Sequence, residues 1–248
     1  YILLYLVVVL WYIYFRKRVD DMEIKVLEFL KGLGTIVLYL VLSIMLSYFF
    51  SDLAYHDNVV IATIFQILSY IIILLVLGIL YRKRLMQDFK NFKKEYVGTA
   101  LKNWIIGIGA MMIANIIISN FVGSSVSVNE NINRNLISLY PVSSVVFMVI
   151  LGPLVEELTF RAGFKKAFSK WYTFALVTGL IFATAHVQTV FVTKDWLELL
   201  YLLPYGTLGF FFGKAFYETD NIYTSYLAHA FHNGICVMVL IILYTLGG

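Results

Sequence analysis

Apolar residues run along this chain in long blocks, not at the alternating spacing of a half-buried strand. Eight blocks stand out: Tyr1–Phe15, Leu33–Phe50, Val59–Tyr81, Asn103–Val122, Pro141 to about Phe160, Trp171–Thr193, Trp196 to about Phe216, and Asn221–Leu246. A bilayer core takes roughly 20 apolar residues per helix. Backbone in lipid must satisfy its own hydrogen bonds, which selects helix. The pattern predicts an all-α, polytopic membrane protein of about eight transmembrane helices, the seventh interrupted by Pro204.

The connections set the expected topology. Arg16–Lys31 carries five Lys or Arg residues, Arg82–Lys102 seven, Arg161–Lys170 four, and Lys214 one more; only Arg134 and Lys194 lie on the other side. Such asymmetry places the first set in the cytoplasm, with both termini outside. Tyr1–Phe15 precedes its basic cluster, the reverse of a signal peptide. The chain opens on Tyr1, so this block is expected to be the visible end of a first membrane helix, with residues missing before it. Val19–Lys31 mixes Met22, Ile24, Val26, Leu27, Phe29 and Leu30 with charges, as an interfacial amphipathic helix does. Arg82–Lys102 is basic with Phe89, Phe92 and Tyr96 interleaved, a composition suited to anionic membrane lipid. Gly123–Leu139, rich in Ser and Asn, reads as a mobile loop. Gly206, Gly209 and Gly213 read as a close-packing face.

Composition narrows the function classes. The chain is 61% hydrophobic and only 14% charged, with a mean hydropathy of +0.84. Soluble domains average about 25% charged residues, so a soluble enzyme, a nucleic-acid binder and a disordered protein are excluded. The net charge of +4 reads as a topology signal. The single cysteine, Cys236, excludes an internal disulfide and a cysteine-based zinc cluster.

Ionisable groups inside these blocks need a reason, because one at the bilayer centre costs about 2.5–3.5 kcal/mol on insertion scales. Glu156-Glu157-Leu158-Thr159-Phe160-Arg161 follows fifteen uncharged residues. Glu157 and Arg161, four apart, can pair on one helix face; Glu156 is rotated about 100° away. His186 closes Phe182-Ala-Thr-Ala-His186 inside an apolar block, and His229-Ala-Phe-His232-Asn233 interrupts the last one. A carboxylate, two imidazoles and an amide from three helices suit hydrolysis: a general base for water and donors for an oxyanion. No serine or cysteine nucleophile motif accompanies them. Depths along the helices disagree, so a tilted or irregular helix is expected to bring the groups level.

Glu156-Glu157-x-x-x-Arg161, Phe182-x-x-x-His186 and His229-x-x-x-Asn233 resemble, in order, the three motifs of the CPBP family of intramembrane proteases. That family includes the type II CAAX prenyl endopeptidases and bacterial Abi-type proteins. The resemblance covers about residues 141–236 and divides the chain into N-terminal helices, 1–140, and a catalytic core, 141–248. It implies that Glu156 and His186 activate water and that His229 and Asn233 form the oxyanion site. Glu157 and Arg161 would support the helix and seat the substrate. His232 matches nothing in the pattern and reads as packing. The resemblance implies a site open to the cytoplasm and a metal-free reaction; if zinc took part, His186, His229 and Glu156 would hold it.

The expected activity is endopeptidase action on a small membrane-associated or hydrophobic peptide. Bacteria lack prenylated CAAX substrates, so in a bacterial plasma membrane leader, pheromone or bacteriocin processing, or immunity, is the expected setting. The alternative is a non-catalytic membrane scaffold of the same fold. A transporter would spread its ionisable groups across the whole membrane, and these cluster. Substrate identity and oligomeric state are not legible.

Overall fold

The computed structural model describes the backbone of residues 2–53, 59–123 and 126–246, and side chains from residue 19 onward except 20, 51–59, 62 and 122. Among them there is no strand. The helices are α1 (Ile2–Leu53), α2 (Val59–Leu80), α3 (Arg82–Lys90), α4 (Glu95–Val122) and α5 (Val128–Leu139). A composite helix follows: α6 (Pro141–Ser144), a π-helical stretch Val145–Leu151, α7 (Gly152–Glu157) and a second π-helical stretch Leu158–Ala162. Then come α8 (Trp171–His186), α9 (Val190–Thr193), the 3₁₀ segment Trp196–Tyr201, α10 (Leu202–Thr219) and α11 (Ile222–Thr245).

Six helical stretches among the described residues are long and apolar enough to cross a membrane: Asp21–Phe50, Thr63–Leu80, Glu95–Phe121, Pro141–Ala167, Trp196–Thr219 and Ile222–Thr245. Trp171–His186 is apolar but shorter. Large apolar side chains such as Ile79, Ile113 and Ile116 face outward while Glu157 and Arg161 are wholly buried. That inversion of soluble-protein order belongs to an integral, multi-pass membrane protein.

The structure differs from three expectations. No turn separates the first two apolar blocks: α1 runs 52 residues without a break, about 78 Å at the α-helical rise. Val19–Lys31 is helical as expected, but as the middle of α1 and not as a separate surface helix. No Gly-Pro or Asn-Gly signal breaks the chain there. The side chains of the block 1–15 lie outside the described residues. The sixth block is helical only from Trp171 to His186, shorter than the six candidate spans, and a short broken segment returns to α10. Finally, the part of Gly123–Leu139 beyond Ser124 and Ser125, two residues outside the described set, is not a loop. Ser127 caps α5 by accepting from the Glu130 N–H at 3.1 Å, and Arg134 pairs with Glu130 one turn on at 2.8 Å.

Small residues set the distance between α8 and α10. A Cβ on Gly179 would lie 2.7 Å from the Phe210 nitrogen, and one on Gly213 would lie 2.9 Å from Thr178 Oγ1. Ala175, Gly179 and Ala183 on α8 thus match the glycine face of α10, letting the backbones meet. Gly163 does the same for α1, where an added Cβ would sit 2.7 Å from the Gly32 Cα. Thr35 and Tyr81 share a hydroxyl hydrogen bond of 2.7 Å beside that contact.

A polar latch fixes the start of α11, and so the depth of the polar groups it carries. Asp88 Oδ2 accepts from the Ile222 N–H at 2.8 Å and from Arg84 Nε at 2.7 Å. Asn221 donates to the Asp88 carbonyl at 2.6 Å. Burial pushes the Asp88 carboxyl above the usual carboxylate range, against the pull of the Ile222 and Arg84 donors. Asp220, at φ 49°, takes the left-handed conformation that ends α10, one that Asp tolerates better than most residues.

Candidate active site

The composite helix supplies the carboxylates. Proline at 153 has no N–H, so it cannot donate backward along the helix. In the preceding π-helical stretch the Gly152 N–H bonds to the Phe147 carbonyl, five residues back; the next carbonyl in that register, Met148, would need the missing proline N–H. Asn233 Nδ2 takes it at 2.8 Å. The irregularity expected from the mismatched depths is therefore present, on both sides of the glutamates. π-turns inside helices are frequent at functional sites.

Three of the expected groups meet. Glu156 Oε2 lies 3.9 Å from His186 Nε2 and 3.7 Å from His229 Nε2. It is buried and has no hydrogen-bond partner among the described residues, although the Glu156 side chain as a whole keeps 19% exposure. His186 Nδ1 is 2.8 Å from the Phe182 carbonyl. A carbonyl only accepts, so Nδ1 carries the proton and the neutral ring turns a lone pair at Nε2 toward Glu156. His229 Nδ1 faces Glu157 Oε1 at 3.1 Å. That nitrogen is likewise a donor, so His229 presents an N–H at Nε2 only as the imidazolium.

Glu157 and Arg161 form the expected pair, at 2.5 Å and with both side chains fully buried. Arg161 does not reach toward the membrane surface. It donates to the Gly209 carbonyl at 3.3 Å and lies over the rings of Phe182 and Phe212, 4.9 and 5.8 Å from their centroids. Neither residue lines either of the two cavities at Glu156. Their reach into the site is through His229, whose ring stacks on Phe212 at 4.8 Å.

Two cavities meet at Glu156. One, about 310 Å³, is lined by Gln66, Tyr70, Asn129, Asn133, Phe147 and Asn233 among others. The second, about 490 Å³, lies between α1 and α8 and is mostly apolar, with Ile36, Leu40, Phe160, Ile181 and Phe191. Tyr70, Asn129, Glu156 and His186 border both. Neither is lined by any residue of the basic connections 82–102 or 161–170. On that flank Val155, Leu158, Phe164, Phe174, Phe216 and Ile222 are fully buried against one another. These two cavities lie beneath α5 and between α1 and α8.

Sequence reasoning missed Tyr205. Its ring lies 4.8 Å from that of His186, opposite Phe182 at 4.2 Å, so the imidazole is held between two aromatic faces. The Tyr205 hydroxyl meets Ser127 Oγ at 2.8 Å and Asn129 Nδ2 at 3.3 Å. Glu198 adds a third tie by accepting from the Val128 N–H at 3.0 Å. The start of α5 is thereby fastened over the histidine. The Ser-x-x-Glu capping signature at Ser127–Glu130 was the available signal. If the ring matters for aiming His186, Tyr205→Phe keeps kcat within about threefold while Tyr205→Ala lowers it about 10²-fold, the scale expected of roughly 1 Å misplacement. Thermal melting of both variants checks that the fold survives; equal kcat for both would contradict the positioning role.

His232 accepts from Trp104 Nε1 at 3.4 Å and faces Cys236 Sγ at 3.8 Å. It borders the cavity without approaching Glu156 as the other two histidines do. Within the zinc set His186, His229 and Glu156, the two histidines approach the carboxylate oxygen at 3.9 and 3.7 Å. Ligands about 2.0–2.1 Å from a tetrahedral zinc lie about 3.3 Å from one another, and both measured pairs are wider. No group of three or more His, Cys, Asp or Glu among the described residues is arranged to hold a metal.

Residues 138–235 match the family model described as type II CAAX prenyl endopeptidase Rce1-like. A stretch of 104 residues, 42% of this chain, is 28% identical to an uncharacterized protein of Mycoplasma capricolum subsp. capricolum (strain California kid). That match spans 29% of the Mycoplasma protein's length. No solved structure matches the chain significantly. The family match takes in Glu156, Glu157, Arg161, His186, His229 and Asn233, with the composite helix, α8, α10 and most of α11, and leaves α1 to α4 outside. Over residues 138–235 the chain is thus similar to the Rce1-like type II CAAX prenyl endopeptidases, a likeness that supports a membrane protease of the CPBP kind.

Proposed function

We propose that this chain is an intramembrane endopeptidase that cleaves a small membrane-associated or hydrophobic peptide by direct attack of water. The observation that carries the reading is an orphaned carboxylate oxygen, Glu156 Oε2, that faces two imidazole nitrogens at 3.7 and 3.9 Å. Those separations are too long for direct hydrogen bonds and suit one oxygen-bearing reactant between them. Glu156 and the lone pair of His186 take the proton of water, which attacks the scissile carbonyl. His229, as imidazolium between two carboxylates, and the second N–H of Asn233 stabilise the oxyanion. Glu157, charge-balanced by Arg161, holds His229 in that form and orientation. The proton then passes to the leaving amine.

The reaction is proposed to need no metal, and the active site to sit in a bacterial plasma membrane, serving leader, pheromone or bacteriocin processing, or immunity. The test is cleavage of a synthetic dodecapeptide library by wild-type protein in nanodiscs, read by mass spectrometry, with Glu156→Gln as control. Cleavage confined to wild type is expected; none, or equal cleavage by both, overturns the reading. EDTA is expected to leave turnover unchanged, whereas loss restored by added Zn²⁺ would contradict the metal-free mechanism.

A further inference from the structure

The two cavities that meet at Glu156 differ in chemistry, and the smaller carries groups the hydrolytic mechanism does not use. Gln66 sits within α2, a membrane-spanning helix, and Asn133 on α5; both line the 310 Å³ cavity. Neither makes a hydrogen bond to any described residue. Asn129 lines the same cavity and is held by Tyr205 through its Nδ2, leaving its carbonyl oxygen toward other donors. The Gln66 and Asn133 side chains are half-buried and open on the cavity, so their amide groups are free to meet a ligand there.

A primary carboxamide offers one acceptor and two donors side by side. The group that matches this in both directions is another amide: the peptide unit, with one C=O and one N–H. An acidic or basic ligand would instead leave half of each carboxamide unmatched. The other cavity shares Asn129 and adds Gln188, but Ile36, Leu40, Phe160, Ile181 and Phe191 give it room for apolar side chains.

The geometry points to Gln66, Asn129 and Asn133 as a backbone-binding wall that receives an extended segment of the substrate's main chain on the α5 side of Glu156. The inference rests on the endopeptidase reading and specifies how its substrate is held. In an extended strand successive side chains point to opposite faces. The bound segment therefore turns peptide groups to the carboxamides and sends its apolar side chains toward the cavity between α1 and α8. Selection is by exposed, unpaired backbone: a helical segment, whose amides bond to one another, gains nothing from the wall.

Binding tests this apart from turnover. The probe is a dansyl-labelled decapeptide of alternating Leu and Ser, titrated into Glu156→Gln protein in nanodiscs with empty nanodiscs as blank. A second probe is the same peptide N-methylated on alternate residues. Saturable binding of the first is expected, weakened about 10-fold or more by N-methylation and by the pair Gln66→Met, Asn133→Leu. On that variant N-methylation should have little further effect. Unchanged affinity for the methylated peptide on the unaltered cavity, or no saturable binding at all, overturns the wall, and neither depends on how the variant folds. The cleavage assay answers separately: binding without turnover by wild type removes the endopeptidase reading and keeps the wall, and turnover without backbone dependence does the reverse.

Discussion

Glu156→Gln lowers kcat by about 10³-fold or more while leaving peptide binding near its wild-type level. The exchange keeps the shape of the side chain and removes only its capacity to take a proton, and positioned general bases contribute about 10²–10⁴-fold. The effect is placed at the upper part of that range because Glu156 Oε2 faces both histidines at once. Its loss therefore disables the pair that handles the water together with its electrostatic partner at the oxyanion. Groups that act as a unit are strongly non-additive. His186→Asn is thus expected to cost nearly as much, and the double variant little more than either alone. Single-turnover cleavage of the peptide most readily cut from the library measures all three. Multiplying losses in the double variant would show independent roles, and a Glu156→Gln rate equal to wild type would return the non-catalytic scaffold reading.

The second large effect concerns Glu157 and Arg161. Removing one partner of a buried pair leaves the other charge uncompensated and costs about 3–5 kcal/mol, so Arg161→Met alone should fail to accumulate as folded protein. Replacing both, Glu157→Leu with Arg161→Met, removes the uncompensated charge and is expected to bring thermal stability back close to wild type. Turnover should stay lost in that double variant. His229 Nδ1 then has no carboxylate to face, so the ring loses the partner that orients it and holds its positive charge for the oxyanion. A stable double variant with near-normal kcat would show that the pair serves the fold alone. Its complete burial, away from both cavities, makes the comparison clean, because substrate contact does not enter.

The polar interruptions of apolar blocks were legible in the sequence, and the structure brings Glu156, His186 and His229 together. The reason is physical: an ionisable group in lipid needs a partner, so residues that break an apolar run tend to find one another. Asn233 was legible as a polar group, but its bond to Met148 was not, since it depends on Pro153 emptying a position in a π-helical register that no local pattern announces. The separation expected between Tyr1–Phe15 and Leu33–Phe50 was read from where the apolar runs end, which says where charged residues lie and not whether the backbone bends. α5 was hidden by its Ser and Asn content, although Ser127 and Glu130 spelled a helix start. Tyr205 could not be found from spacing, because an aromatic residue in an apolar block looks like packing until its neighbour is known to be His186. The direction in which the site opens depends on which side chains fill the space, and basic charge at one face carries no information about that.

The most direct test of the account is a cryo-electron microscopy structure of the protein in nanodiscs with a phosphinate peptide, whose tetrahedral P(O)O⁻ group imitates the intermediate of water attack. One phosphinate oxygen is expected within hydrogen-bond reach of Glu156 Oε2 and His186 Nε2, the other between His229 Nε2 and Asn233 Nδ2. A phosphinate bound elsewhere, or a Glu156 carboxyl turned away from both rings with the inhibitor in place, would contradict it.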